Sequence, residues 1–143
     1  MDGTTHEGRC FCGETRLRVT GPAALQGFRH CTECREWSAG PVTAYAIWPS
    51  EQVEILPGEA GIVAWSRAGK AERPSCGRCG GAVGTRIRGG ARTDVYPALL
   101  PDSGVAPTHH IFYGERMIDM ADGLPKFLDM PEAAGGSGRM AEG

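Results

Sequence analysis

A mainly β fold is what this sequence predicts, on three observations. Glycine occurs 22 times and proline 10 times in 143 residues, with glycine alone at about twice its usual share of roughly 7%, so few windows have room for a helix. Between these breakers the apolar residues alternate with polar ones or run in short β-branched and aromatic stretches, the pattern of short strands. Six cysteines fall in three close pairs, which gives a short-stranded domain a means of pinning distant segments through a metal ion.

In chain order, residues 1–7 (MDGTTHE) are predicted to be flexible, and they lack the basic and apolar stretches of a secretory signal. The first cysteine pair, Cys10 and Cys12, is followed by Gly13. Thr15, Leu17 and Val19 alternate with Arg16 and Arg18 as a strand facing a core. Residues 28–39 are the longest window between breakers and predict a turn or two of helix around Thr32–Trp37. This window carries the second pair, Cys31 and Cys34. Strands are predicted over Val42–Trp48, Ile62–Trp65, Ala82–Ile87, Val95–Leu100 and His109–Tyr113, with a short helical turn starting at the cap-type residue Ser50. The third pair, Cys76 and Cys79, is followed by Gly80 and Gly81. From Pro131 onward the chain (PEAAGGSGRMAEG) has almost nothing to bury, and disorder is predicted for 131–143. Trp37, Trp48 and Trp65 are assigned to the core. One histidine of the His109–His110 pair is placed in the core and the other at the surface.

Bulk properties narrow the function. A chain of this length builds one core, and its formal net charge of −2 gives no electrostatic case for nucleic acid or an anionic membrane. No apolar run approaches the roughly 20 residues of a membrane span. Paired cysteines without a signal point to a reducing cytoplasm, where thiols bind metal in preference to forming disulfides. The glycines at 89–90 and 135–138 do not make a phosphate loop, since no Lys-Ser/Thr follows them. Asp119 and Asp122 receive no chemistry.

The cysteine spacing carries the chemistry. Thiolates one or two residues apart can grip one ion, and zinc takes four such ligands in a tetrahedron. In two of the pairs a glycine follows the second cysteine and permits the positive φ with which backbone amides turn back toward the sulfurs. Cys10, Cys12, Cys76 and Cys79 are therefore nominated as one closed zinc site, against the alternatives of unliganded buried thiols or disulfides. Such a site ties segments separated by positions 13–75 and contributes folding free energy of order 10 kcal/mol. Cys31 and Cys34, followed by Arg35, stand apart.

In this order the motifs resemble the glutathione-dependent formaldehyde-activating enzyme (GFA) family, which also includes centromere protein V. Its opening G-x-C-x-C-G is matched by Gly8, Cys10, Cys12 and Gly13, and a Gly-Pro turn follows at Gly21-Pro22. Where its pattern has C-H-C-x-x-C-R, this chain reads Arg29, His30, Cys31, Cys34 and Arg35, then Ser38, Ala39 and Gly40. F-C-x-x-C-G is matched by Cys76, Cys79 and Gly80, with Ser75 in the aromatic's place. H-I-F and L-P-x-F are matched by His110-Ile111-Phe112 and Leu124-Pro125-Lys126-Phe127. The resemblance covers residues 8–130.

It implies a small, complex β-tent fold of several short sheets, with a structural zinc on Cys10, Cys12, Cys76 and Cys79. It implies a second, catalytic zinc on the three cysteines of C-H-C-x-x-C, able to take the thiolate of glutathione and to make or break a carbon–sulfur bond to formaldehyde. Arg29 stands where the first of those cysteines belongs. Arginine stays protonated and offers no lone pair, and the histidine matching His30 is not a ligand in the family. The second site is thus left with Cys31 and Cys34 as candidate catalytic residues, and Arg29 becomes a candidate anchor for a glutathione carboxylate. Three functions follow: a carbon–sulfur lyase on a small-thiol adduct, a zinc-stabilised binding protein without catalysis, or a C-x-x-C redox protein. Relatives often carry a tryptophan where this chain reads Met117-Ile118-Asp119.

Overall fold

The computed structural model describes residues 3–67 and 70–142. It is mainly β, 36% strand and 14% helix, with several sheets, as the glycine content and alternation predict. The one predicted core resolves into two compact units: residues 1–25 with 46–105, and residues 26–45 with 106–143.

In the first unit, β1 (Thr5–Arg9) and β2 (Arg16–Thr20) pair antiparallel. The other edge of β2 pairs with a later strand, Val53–Leu56. Alternation along β2 places Leu17 and Val19 inside, while Arg18 on the outer face meets Glu7 at 3.0 Å and Glu54 at 3.7 Å. The rest of this unit is an antiparallel ladder. The end of the strand Thr43–Pro49 pairs with Arg92–Val95, which pairs with Gly84–Arg86, then Glu72–Cys76, then Ile62–Ser66. Leu17, Val19, Ala46, Trp48, Val83, Val95 and Leu100 form the core together with Cys10 and Cys76. Trp48 donates its indole N–H to the Gly21 carbonyl at 3.0 Å, so its polar atom is satisfied inside an apolar cluster.

The second unit is built differently. The strand Leu25–Arg29 pairs in parallel with His110–Ile111. A seven-residue helix, α1 (Thr32–Ser38), follows and ends at Ala39 in the left-handed conformation, φ 58°. Its centre is aromatic and polar: the rings of His30, His110 and Tyr113 lie 4.9–5.5 Å apart.

Several predicted boundaries change. Strand β1 starts at Thr5, inside the segment expected to be flexible; Met1 and Asp2 lie outside the described residues. The expected strand Val95–Leu100 stops at Val95, because Pro97 lacks the N–H a ladder needs and opens a 3₁₀ turn, Pro97–Leu99. The expected strand His109–Tyr113 shrinks to His110–Ile111, ended by Phe112 at φ 53°. Trp65, assigned to the core, is 61% exposed on the strand Ile62–Ser66. Residues 131–142, expected to be disordered, are held by polar contacts in place of apolar burial. The Asp129 carboxylate accepts from the Ser137 amide at 2.9 Å, Leu128 N–H donates to the Arg139 carbonyl at 2.8 Å, and Ala141 N–H donates to Lys126 at 2.8 Å. No helix among the described residues is long and apolar enough to cross a membrane.

Candidate metal centre and dithiol pair

Cys10 leaves the end of β1, and Gly13 turns the chain back at φ 83°, its N–H donating to the Cys10 carbonyl at 3.0 Å. Cys76 ends the strand Glu72–Cys76, and Gly80 makes the equivalent turn at φ 76°, its N–H donating to the Cys76 carbonyl at 2.9 Å. The two turns aim backbone donors at the sulfurs. Thr15 N–H lies 3.4 Å from Cys10 Sγ, Arg78 N–H 3.4 Å from Cys76 Sγ, and Gly81 N–H 3.4 Å from Cys79 Sγ. These are the contacts that trailing glycines predict, and they favour thiolates.

All four sulfurs lie within 4.8 Å of one another. Cys12 Sγ is 3.6 Å from Cys10 Sγ and 3.7 Å from Cys76 Sγ. A tetrahedron with metal–sulfur bonds of roughly 2.3 Å has sulfur–sulfur edges of about 3.8 Å. A disulfide, by contrast, needs about 2.05 Å; all six cysteines are free thiols. The donor set fits one metal ion. Electrostatics divides the four thiols. Thr15 and the backbone around Cys79 bring the Cys76 thiol down to about 6. Burial opposes ionisation of Cys10, but the Thr15 amide and Cys12 outweigh it and the thiol falls below its usual range. The Glu14 amide favours a Cys12 thiolate, yet burial and the three neighbouring thiols push Cys12 up to about 11. A cation shared by all four removes that mutual penalty.

Cys31 and Cys34 lie in the second unit. Cys31 caps α1 with extended backbone, and its carbonyl accepts from Arg35 N–H at 3.0 Å. The helix start is clamped by Glu115: its carboxylate accepts from Thr32 N–H at 2.9 Å, and its carbonyl accepts from Arg35 Nη2 at 3.0 Å. Cys31 is half-buried, Cys34 8% exposed. The Cys31 thiol is pushed well up, first by its hydrogen bond with Cys34 and then by burial, while the Arg29 cation pulls the other way. Arg29 is 8% exposed, its guanidinium 5.6 Å from the Tyr45 ring centre, within cation–π range. Among the described residues, only the quartet gathers three or more His, Cys, Asp or Glu ligands in metal-binding proximity.

A feature that the sequence did not reveal runs through His30. Its Nε2 lies 2.8 Å from His110 Nδ1, and His110 Nε2 lies 2.7 Å from the Asp122 carboxylate, which also accepts from Lys126 Nζ at 2.9 Å. The Lys126 ammonium and then His110 hold Asp122 below the usual carboxylate range. An anion there fixes His110 as the Nε2–H form, which leaves Nδ1 to accept and makes His30 the Nε2–H form in turn. His30 and His110 are both fully buried. Asp122, given no role by sequence, thus anchors two buried imidazoles; nothing in its local spacing signals this. His109, half-buried, lies 2.6 Å from the Tyr45 hydroxyl.

Burial, then the neighbouring His110, depresses His30 to about 4 from an ordinary 6.5. The fold therefore favours the neutral ring. Its contribution to stability is complete above pH 6.5 and is lost as pH falls from 6.5 through 4, roughly 3 kcal/mol in all. An NMR titration of the metal-loaded protein should show the His30 ring unprotonated at pH 6 with its midpoint near 4; a midpoint near 6.5 would contradict the buried arrangement.

Comparison with known proteins agrees with this architecture. A Rhodobacter sphaeroides protein of known crystal structure is similar over 71% of this chain and 91% of its own length, at 21% identity and a TM-score of 0.56, a likeness of fold. No curated protein matches the chain. The family model described as glutathione-dependent formaldehyde-activating enzyme matches residues 5–115, a span that takes in both cysteine-bearing turns, the dithiol and His110. The chain belongs to the glutathione-dependent formaldehyde-activating enzyme family.

Proposed function

We propose that Cys10, Cys12, Cys76 and Cys79 hold one structural zinc, and that Cys31, Cys34 and Arg29 form a carbon–sulfur lyase site for a glutathione or small-thiol adduct of formaldehyde, working without a second zinc. The observation that carries the second half is the pair of thiols on one helical turn with a buried guanidinium acting on Cys31. In the reaction a thiol adds across the carbonyl of formaldehyde, the sulfur–carbon bond forms and the proton passes to oxygen; the reverse releases both. Arg29 supplies a fixed positive charge for a carboxylate of the tripeptide or for the sulfur anion, and the half-buried Cys31 is the thiol within reach of the adduct. Zinc on the quartet supplies folding free energy and no step of this reaction. Six unbridged thiols suit a reducing cytoplasm.

Two measurements test this. Protein purified without added metal should carry one zinc per chain, with Cys31 and Cys34 labelled by thiol reagents faster than the quartet. Exchange NMR with glutathione and formaldehyde should show adduct turnover, and Cys31→Ser should slow it by an order of magnitude or more, about 1.4 kcal/mol of barrier. Two zincs per chain with all six thiols protected would overturn the metal assignment. Absence of turnover with glutathione still bound, and binding lost in Arg29→Ala, would favour the second reading. In that reading, which the permanent cation at position 29 supports, the chain is a zinc-stabilised binding protein.

A further inference from the structure

We propose that Cys31 and Cys34 are a redox modification site, closing to a reversible disulfide by exchange with a low-molecular-weight disulfide such as oxidised glutathione.

The geometry is the first argument. The Arg35 N–H to Cys31 carbonyl bond of 3.0 Å closes the opening turn of α1, so residues 31 and 34 stand three apart on one face. That spacing puts their Cβ atoms roughly 5–6 Å apart, from which a modest adjustment reaches the roughly 3.5–4.5 Å a disulfide takes. The two thiols are already hydrogen-bonded to each other. Glu115 holds the same turn through Thr32 N–H and Arg35, so the bond can form without melting the helix.

Availability is the second argument. A thiol held by a metal is protected from exchange, and the quartet sulfurs are arranged for one. No third ligand group joins Cys31 and Cys34 among the described residues, and position 29, where the family pattern has a cysteine, is an arginine. Cys31 is half-buried and Cys34 8% exposed, so an incoming disulfide meets Cys31 first. The Arg29 cation favours the attacking thiolate, but the Cys34 hydrogen bond and burial outweigh it and raise the Cys31 thiol, so the exchange runs through a minor thiolate population and quickens as pH rises.

The exchange balances as follows. Cys31 thiolate attacks one sulfur of the oxidised tripeptide, forming a mixed disulfide and releasing one tripeptide thiolate. Cys34, after giving up its proton, attacks Cys31 Sγ and releases the second. The two protein thiols are oxidised by two electrons and the external disulfide is reduced to two thiols. Closure removes both thiols from the site and silences whatever chemistry they perform until a dithiol reductant reopens it.

The inference shares with the proposed function the reading that this pair holds no metal, and metal analysis of the same sample separates the two failures. The full chain, with its metal counted, is incubated with excess oxidised glutathione without denaturant, alkylated and analysed by mass spectrometry. The expected result is a loss of two hydrogens, a bridge mapped to Cys31 and Cys34, unchanged metal content, and full reversal by dithiothreitol. Cys34→Ser should stop at a stable mixed disulfide on Cys31. The proposal is overturned if the metal-free pair stays reduced, if the wild-type chain accumulates the mixed disulfide, or if oxidation appears only as the quartet loses its metal.

Discussion

Cys76→Ser is expected to yield a chain without its metal and largely unfolded at room temperature. The Cys76 sulfur sits 3.7 Å from Cys12 Sγ and accepts from Arg78 N–H, and its thiol is drawn down to about 6. A serine hydroxyl stays protonated at neutral pH and leaves three thiolates, which lose both the tetrahedron and the tie between the two turns. Structural zinc in small modules contributes on the order of 10 kcal/mol, comparable with the roughly 5–15 kcal/mol that stabilises a whole domain. Metal analysis with thermal unfolding checks this, with Cys34→Ser as the partner variant that keeps its metal. A Cys76→Ser chain that retained one metal ion and an unchanged melting temperature would remove the quartet assignment.

Arg29→Cys should raise the metal content from one to two ions per chain. The change removes a fixed positive charge beside Cys31 and supplies a third thiolate, so two effects act in the same direction. The cost is the packing of a nearly buried side chain against Tyr45, and Arg29→Ala controls for it by removing the charge without adding a ligand. A second ion bound by three protein ligands keeps an open position that a glutathione thiolate can fill, so adduct exchange measured by NMR should quicken together with metal uptake. If the folded Arg29→Cys chain still holds one ion, the pocket has departed from the family arrangement at more than this residue.

The parts legible in the sequence were those encoded over a few residues. The cysteine spacings and trailing glycines fix where donors and sulfurs point, and the turns at Gly13 and Gly80 realise that pattern. The alternation Leu17, Val19 marks a strand with one buried face, and the expected turn begins at Ser50, although Pro49 takes the cap position and no side chain caps the turn Ser50–Gln52. The strands at Thr5–Arg9 and Glu72–Cys76 stayed hidden because their residues, THEGR and ERPSC, are polar. Arg73 and Ser75 are nonetheless buried, a fact of tertiary surroundings rather than of local alternation. The His30–His110–Asp122 chain joins three separate segments, and only the parallel pairing of His110 with Phe28 brings the first two together. Trp65 shows the converse: an aromatic residue in a strand says nothing of which strand edge lies open to water.

The order in which the two units are stitched from the chain has a consequence for how the protein is made. The segments of the first unit have all been synthesised by residue 105, whereas residues 26–45, with Cys31, Cys34 and Arg29, share their unit with residues 106–143. At roughly 5–20 residues per second, the quartet can close while the nascent dithiol waits about 1–3 seconds for the segment bearing His110 and Asp122. During that interval the ribosome-bound chain carries two reduced cysteines whose companions in residues 106–143 are not yet made, so vectorial synthesis itself sorts which thiols are metallated first.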